Sequence, residues 1–282
     1  MNIGAFALVE PWTNVERQLQ LLHEWGFTSA DLTDTHGGGQ IGDNAGYMAS
    51  FSLDANPFDI KKLFDKYGLH IDCMSMHGAI IDPVYPQRYG THEMMKAIKI
   101  AASIGIKYCI TTDQAPVTEW AKKQSWENQC YAVAEKLYEP LRMAKDYGCE
   151  ILLEPHGPLT DTAKGLHDIM DLLDNDPALG INLDTGNSWL GGSDPVELAK
   201  EFKDQIKHIH WKDLDESWLP RRGKQYGCGF CTIPIGAGII PVKEVCEVLR
   251  DCNIEASTLE VCGDKEMLQE SVRYLREDCG IK

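Results

Sequence analysis

Short apolar runs alternate with amphipathic stretches from one end of the chain to the other, and that alternation sets the reading of everything else. Strands are predicted at residues 2–8, 28–33, 69–76, 107–112, 149–155, 179–184, 206–211 and 256–262, each a short apolar run bounded by turn residues. Between them the spacing predicts helices over 13–25, 57–67, 91–104, 125–147, 161–174, 194–204, 241–251 and 265–278. Thr91, Asp161 and Asp194 stand where N-caps belong, and Gly26, Gly68, Gly105 and Gly148 stand where helices close. Strands that alternate with helices pair in parallel, so the chain reads as an α/β protein, a (β/α)8 TIM barrel forming a single domain over residues 1–282. Two segments exceed ordinary connections: 34–56, with Gly37-Gly38-Gly39, and 213–240, with Trp218, Arg221, Arg222 and Lys224. Both follow strands, so both are expected over the C-terminal mouth of the barrel, as lids or subunit contacts.

Composition narrows the function classes. Forty-three acidic against 27 basic residues give a formal charge of −16, which repels a phosphate backbone and an anionic membrane, so nucleic acid and membrane are not expected partners. The opening MNIGAFALVEPW has neither a basic segment nor a long apolar run of the secretory kind, and a cytoplasmic protein is expected. Ten cysteines lie mostly inside strand or helix patterns and read as small buried hydrophobes in a reducing compartment. The pair Cys228 and Cys231 has spacing that suits zinc or a dithiol, or else simply packs a loop.

The chemistry lies at the ends of the last four strands. ILLEPH carries Glu154, INLDTGN carries Asp184, HIHWKD carries His210 and STLEVCG carries Glu260. Three carboxylates and an imidazole suit a hard or borderline divalent cation, and in a barrel four consecutive strand ends converge on one point at the mouth. His208 shares a strand face with His210 and is the alternative ligand; His210 is preferred because it lies nearer the mouth. His156, two residues beyond Glu154, suits a general base, or else orients Glu154. His77, at the end of the third strand, and His36, Lys212, Asn187, Trp12 and Trp218 are candidate substrate-lining residues. Alone, any one of them is as readily a capping or packing residue.

On these residues the whole chain resembles the sugar isomerase/epimerase-like (xylose isomerase-like) barrel superfamily, which includes ketose 3-epimerases, inosose dehydratases and nucleases of the endonuclease IV type. The resemblance implies that Glu154, Asp184, His210 and Glu260 hold one ion, manganese or else magnesium, and the acidic charge argues against a three-zinc nuclease. Ketose 3-epimerases shuttle the proton on Glu154 and Glu260 equivalents and carry a histidine where this chain has Asn187, a departure that counts against ordinary epimerase chemistry. LLEPHGPLTDT and the cysteine-bearing loop ending in CTIPIGAG look like the large subunit of bacterial C-glycoside deglycosidases. That likeness implies a carbohydrate lyase cleaving the carbon–carbon bond of 3-oxo-C-glycosides, with His156 as base and a small β-sandwich partner subunit. A ketose epimerase or inosose dehydratase using the same ligands, or a noncatalytic metal-binding assembly subunit, stands as the alternative.

Overall fold

The computed structural model describes residues 1–10, 13–33, 51–78, 80–82 and 89–282, with only the backbone given for 89 and 90. Eight parallel strands close into a barrel in sequence order. They are β1 (Asn2–Phe6), β2 (Ser29–Thr33), β3 (His70–Ser75), β4 (Tyr108–Thr111), β5 (Glu150–Leu153), β6 (Leu179–Asp184), β7 (Ile206–Trp211) and β8 (Ala256–Leu259). The helices are α1 (Val15–Glu24), α2 (Pro57–Lys66), α3 (Tyr89–Ile104), α4 (Glu119–Lys122), α5 (Trp126–Tyr147), α6 (Ala163–Leu172), α7 (Thr185–Gly191), α8 (Pro195–Glu201), α9 (Val242–Leu249) and α10 (Lys265–Arg273). Every strand expected from the apolar pattern is present; β6 and β7 have the expected bounds, and the other six are shorter by one to three residues. The short helices α4 and α7 and the 3-10 turn Glu216–Arg221 have no periodicity long enough to announce them.

Period-two alternation sorts each strand into two environments. Outward positions such as Ile3, Met74, Ile151, Leu183, Ile209 and Leu259 merge with Leu22, Ile98, Leu137 and Ile169 of the surrounding helices into one continuous core. Inward positions are different: a small apolar plug of Cys73, Ile110 and Leu152 lies among buried Asp31, Asn182, Asp184, His208, His210 and Thr258. The outer core therefore supplies the hydrophobic driving force, and the barrel interior is free to be polar. In β7 the register against β6 shifts between Ile181 and Asn182, which brings His208 opposite Asn182 and His210 opposite Asp184.

The caps differ from expectation in two places. Thr162, not Asp161, caps α6 by accepting from the Gly165 N–H, and Thr91 lies inside α3 with its hydroxyl donated to the Lys136 carbonyl. Asp194 caps α8 as expected. Seven of the ten cysteines are buried, and all ten are free thiols. Among the described residues no helix is long and apolar enough to cross a membrane.

Asp72 lies on β3, near the base of the barrel. Its carboxylate accepts a hydrogen bond from Ser29, and burial followed by the charge of Asp31 pushes its pKa up to about 6. An acid raised in the fold contributes stability while protonated and loses it as pH rises from its unfolded value toward 6. Asp72→Asn is therefore expected to match the natural chain below pH 4 and to be more stable above pH 6, by on the order of 2 kcal/mol. Urea unfolding at both pH values checks this; equal stability at both would remove the assigned penalty.

Candidate metal centre

Each of the last four strands delivers one polar side chain by a different local device. Glu154 follows β5, held by its N–H to the Thr111 carbonyl at 2.8 Å. Asp184 ends β6 and caps α7: Oδ1 accepts from the Asn187 N–H at 2.7 Å, which turns Oδ2 toward the barrel axis. His210 faces Asp184 across the β6–β7 register. Glu260 follows β8, with its N–H on the Trp211 carbonyl at 3.1 Å and its carbonyl accepting from the Cys231 N–H at 3.0 Å.

The four residues are at most 5% exposed, and one donor atom from each lies within 4.8 Å of all the others. His210 Nδ1 is 3.2 Å from Glu154 Oε2 and 3.3 Å from Glu260 Oε2. Nδ1 itself makes no hydrogen bond, and Asp184 Oδ2 and Glu260 Oε2, equally sealed from solvent, are ion-paired with the Lys212 ammonium at 2.7 and 2.5 Å. Buried polar atoms left without hydrogen bonds are costly, and atoms turned on a common point are satisfied by a cation placed among them. The charge balance agrees. Burial opposes ionisation at Glu154 and Glu260, yet His210 and His77 hold Glu154 well below the usual range, and Lys212 and His210 hold Glu260 at about 2. Asp184 goes the other way, raised by burial and then by Glu260 and Glu154 despite Lys212. The site has more negative charge than its own cations neutralise, and the oxygen-rich donor set with one imidazole fits a divalent ion.

Asp31, on β2, fixes the imidazole and was not singled out from the sequence. His210 Nε2 lies 3.0 Å from Asp31 Oδ2, so Nε2 carries the proton and Nδ1 is left as the ligand atom. His208 Nε2 lies 3.2 Å from the same oxygen and 3.0 Å from Thr258 Oγ1, and Cys73 N–H occupies Asp31 Oδ1 at 3.0 Å. Asp31, His208 and His210 are thus also close together, but their hydrogen bonds to one another fill the acceptors of Asp31. The only trace of Asp31 in the sequence is a lone acid at an inward position of a short strand, between Ser29 and Thr33.

The remaining candidates are distributed unevenly. Asn187, on α7, donates to Glu154 Oε1 at 3.1 Å, and Asn182 donates to Glu154 Oε2 at 3.0 Å. His77 Nε2 is 3.6 Å from Glu154 Oε2, and its ring is stacked on that of His156 at 5.8 Å. His156 is partly buried, its Nδ1 makes no hydrogen bond, and burial pulls its pKa down to about 4. Lys212, expected among lining residues, is buried in ion pairs with Asp184 and Glu260. Trp218 stacks against Arg221 at 4.7 Å and packs on the edge of the core. Trp12 and His36, with Gly37-Gly38-Gly39, lie outside the described residues.

The segment 213–240 is drawn over this site. Asp213 organises it by accepting from the N–H groups of Leu214, Gly236, Gly238 and Ile240. Gly227, at φ +70°, sits so close to His156 that a Cβ there would fall 2.2 Å from Nε2. Cys228 donates its N–H (3.1 Å) and thiol (3.2 Å) to Asn187 Oδ1, and Phe230 meets Phe6, whose ring in turn stands edge-on to His210. Cys231 donates its thiol to the Glu260 carbonyl at 3.3 Å. Arg222 is used internally, bonded to the Trp189 and Ser193 carbonyls.

Removing the carboxylate that orients His210 gives a direct check. Asp31→Asn is expected to weaken divalent-ion binding about 10- to 100-fold with the barrel intact. Calorimetric titration with Mn2+ measures it, and an unchanged affinity would show that Asp31 does not set the imidazole.

Comparison with known proteins agrees with this architecture. Over 188 residues the chain is 23% identical to an inosose dehydratase of Geobacillus kaustophilus (strain HTA426), covering 60% of this chain and 58% of that protein. Over 138 residues it is 30% identical to a 3-dehydroshikimate dehydratase of Bacillus anthracis, covering 44% and 47% respectively. The matches thus span about half the length of these relatives. Among solved structures, the E. coli 3-keto-D-glucoside 4-epimerase superposes with a TM-score of 0.73 at 17% identity, over 98% of this chain and 99% of that one. A protein named IolI, whose structure holds a zinc atom, superposes with a TM-score of 0.73 at 16% identity, over 99% and 98%. A family model matches residues 19–278, and the chain belongs to the xylose isomerase-like TIM barrel family.

Proposed function

We propose that this chain is a divalent-metal-dependent lyase acting on oxidised sugars, with 3-oxo-C-glycosides as substrates and the carbon-linked aglycone as leaving group. The observation that carries the reading is the convergence of Glu154, Asp184, His210 and Glu260 within 4.8 Å beside His156. The names of two relatives denote loss of water, which is elimination, and that of one structural neighbour denotes work on a 3-keto-glucoside. Elimination of an aglycone from C1 uses the same first step as elimination of water.

Bound by these four residues, a divalent ion supplies a Lewis acid that polarises a ketone oxygen and acidifies the neighbouring C–H. Manganese or magnesium suits the oxygen-rich donor set, because softness does not select zinc here. The protein's own part is to take the proton at C2. His156 is the residue assigned to that step: burial keeps its ring neutral at pH 7, and the ring is stacked on His77 next to Glu154. Gly227 packs on its Nε2 edge, so the segment 213–240 controls access to that nitrogen and excludes water once closed. Electrons from the broken C2–H bond form the C1–C2 double bond, the pair of the broken C1–aglycone bond leaves on the aglycone carbon, and the proton taken by His156 is returned there to give the free aglycone. A small β-sandwich partner subunit over the same mouth belongs to this reading.

His156→Ala is expected to keep metal binding and to lose turnover by about a hundred- to ten-thousandfold. Incubation of the Mn2+-loaded protein, with a co-encoded small subunit, with a 3-oxo-C-glycoside, a free ketose and an inosose identifies the reaction by product analysis. Deuterium exchange beside the ketone, followed by NMR, isolates the proton transfer. Undiminished exchange by His156→Ala would remove His156 as base and transfer the role to Glu154 or Glu260, the two-carboxylate shuttle of an epimerase. Glu260→Gln with intact folding and full turnover would sink the catalytic centre itself.

A further inference from the structure

One buried cation of the site takes no part in that mechanism. Lys212 is 2% exposed, and its Nζ lies 2.7 Å from Asp184 Oδ2, 2.5 Å from Glu260 Oε2 and 3.3 Å from Asn187 Oδ1. It is fixed along its whole length. Thr185 Oγ1 accepts from the Lys212 N–H at 2.9 Å and donates to its carbonyl at 2.8 Å. Gly186 lies against the stem so closely that a Cβ there would be 2.6 Å from Lys212 Cβ. The two carboxylate oxygens it pairs with belong to the proposed ligands. A lysine held against Thr185 and Gly186 so that its ammonium meets those oxygens supplies there the positive charge that a metal ion would also bring.

We propose that Lys212 is a built-in counter-ion, pairing Asp184 and Glu260 when no ion is bound and lowering the site's affinity for a divalent ion that shares the same oxygens. Two like charges on shared ligands repel, and burial strengthens the repulsion relative to water. Conversely, three carboxylates sealed in the barrel with only His210 beside them carry uncompensated charge, which destabilises the fold. The lysine therefore keeps the empty site folded at the expense of metal affinity, and the ion stays exchangeable. The proposal rests on the reading of Glu154, Asp184, His210 and Glu260 as metal ligands.

Lys212→Met keeps the stem and removes the charge. Chelator-stripped full-length protein is titrated with Mn2+ by calorimetry, and melting is followed with and without Mn2+. The variant is expected to melt below the natural chain without Mn2+, to be raised more by Mn2+, and to bind Mn2+ roughly tenfold or more tightly. Unchanged or weaker Mn2+ binding by a variant with a natural circular dichroism spectrum overturns the proposal. A variant recovered only in Mn2+ supports it, and Lys212→Arg then supplies the check: with the charge kept, affinity stays close to that of the natural chain, and a gain of about tenfold overturns the charge argument. A natural chain that takes up no divalent ion removes the ligand set together with this proposal. Binding that is normal but indifferent to Lys212→Met removes only the role of the lysine.

Discussion

Four carboxylates and two imidazoles closed inside one barrel form the constraint on which the rest of the structure depends. Asp31, Glu154, Asp184 and Glu260 are all within 5% of complete burial, and so are His208 and His210. Charges in such a place are tolerated only when paired and hydrogen-bonded. Asp31 meets that requirement with two imidazoles and a backbone N–H. Glu154 meets it partly, through Asn182 and Asn187. Asp184 and Glu260 share the one ammonium of Lys212, Asp184 adding the Asn187 N–H and Glu260 the nearby His210 ring, and that unequal satisfaction distinguishes the supporting acid from the ligand set.

The cost is tolerable because the barrel has two cores. The outer one, between strands and helices, is apolar and continuous, and it stabilises the fold whatever the interior contains. The inner one is mostly polar above a small plug of Cys73, Ile110 and Leu152. A fold arranged this way can change its chemistry at the mouth without loss of its scaffold, which is consistent with relatives and structural neighbours named for dehydration and for epimerisation. What lies over the mouth then governs the outcome. In this chain the segment 213–240 touches His156 through Gly227, Asn187 through Cys228, Phe6 through Phe230 and the Glu260 backbone through Cys231. Loop position is thereby coupled to the base candidate and to two groups that hold the ligands.

The sequence by itself determined the barrel and the four ligand candidates, because both follow from local periodicity. Alternation of apolar and polar positions marks strands, helical spacing marks the crossovers, and an acid or histidine at a strand's C-terminal end has one place to go in a parallel barrel. The preference for His210 over His208 followed from the same geometry. Short elements escaped: α7 spans Thr185–Gly191, too few residues for a periodic signal, yet it places Asn187 on Glu154 and lets Asp184 serve as cap and ligand candidate together. Pairings across the barrel escaped as well. Asp31 and His210 are 179 positions apart, and Lys212 could be recognised as a mouth residue but not as the partner of Asp184 and Glu260. Only the closed sheet decides such contacts, since which inward side chains meet depends on stagger, on the β6–β7 register shift and on backbone turns that no single segment encodes.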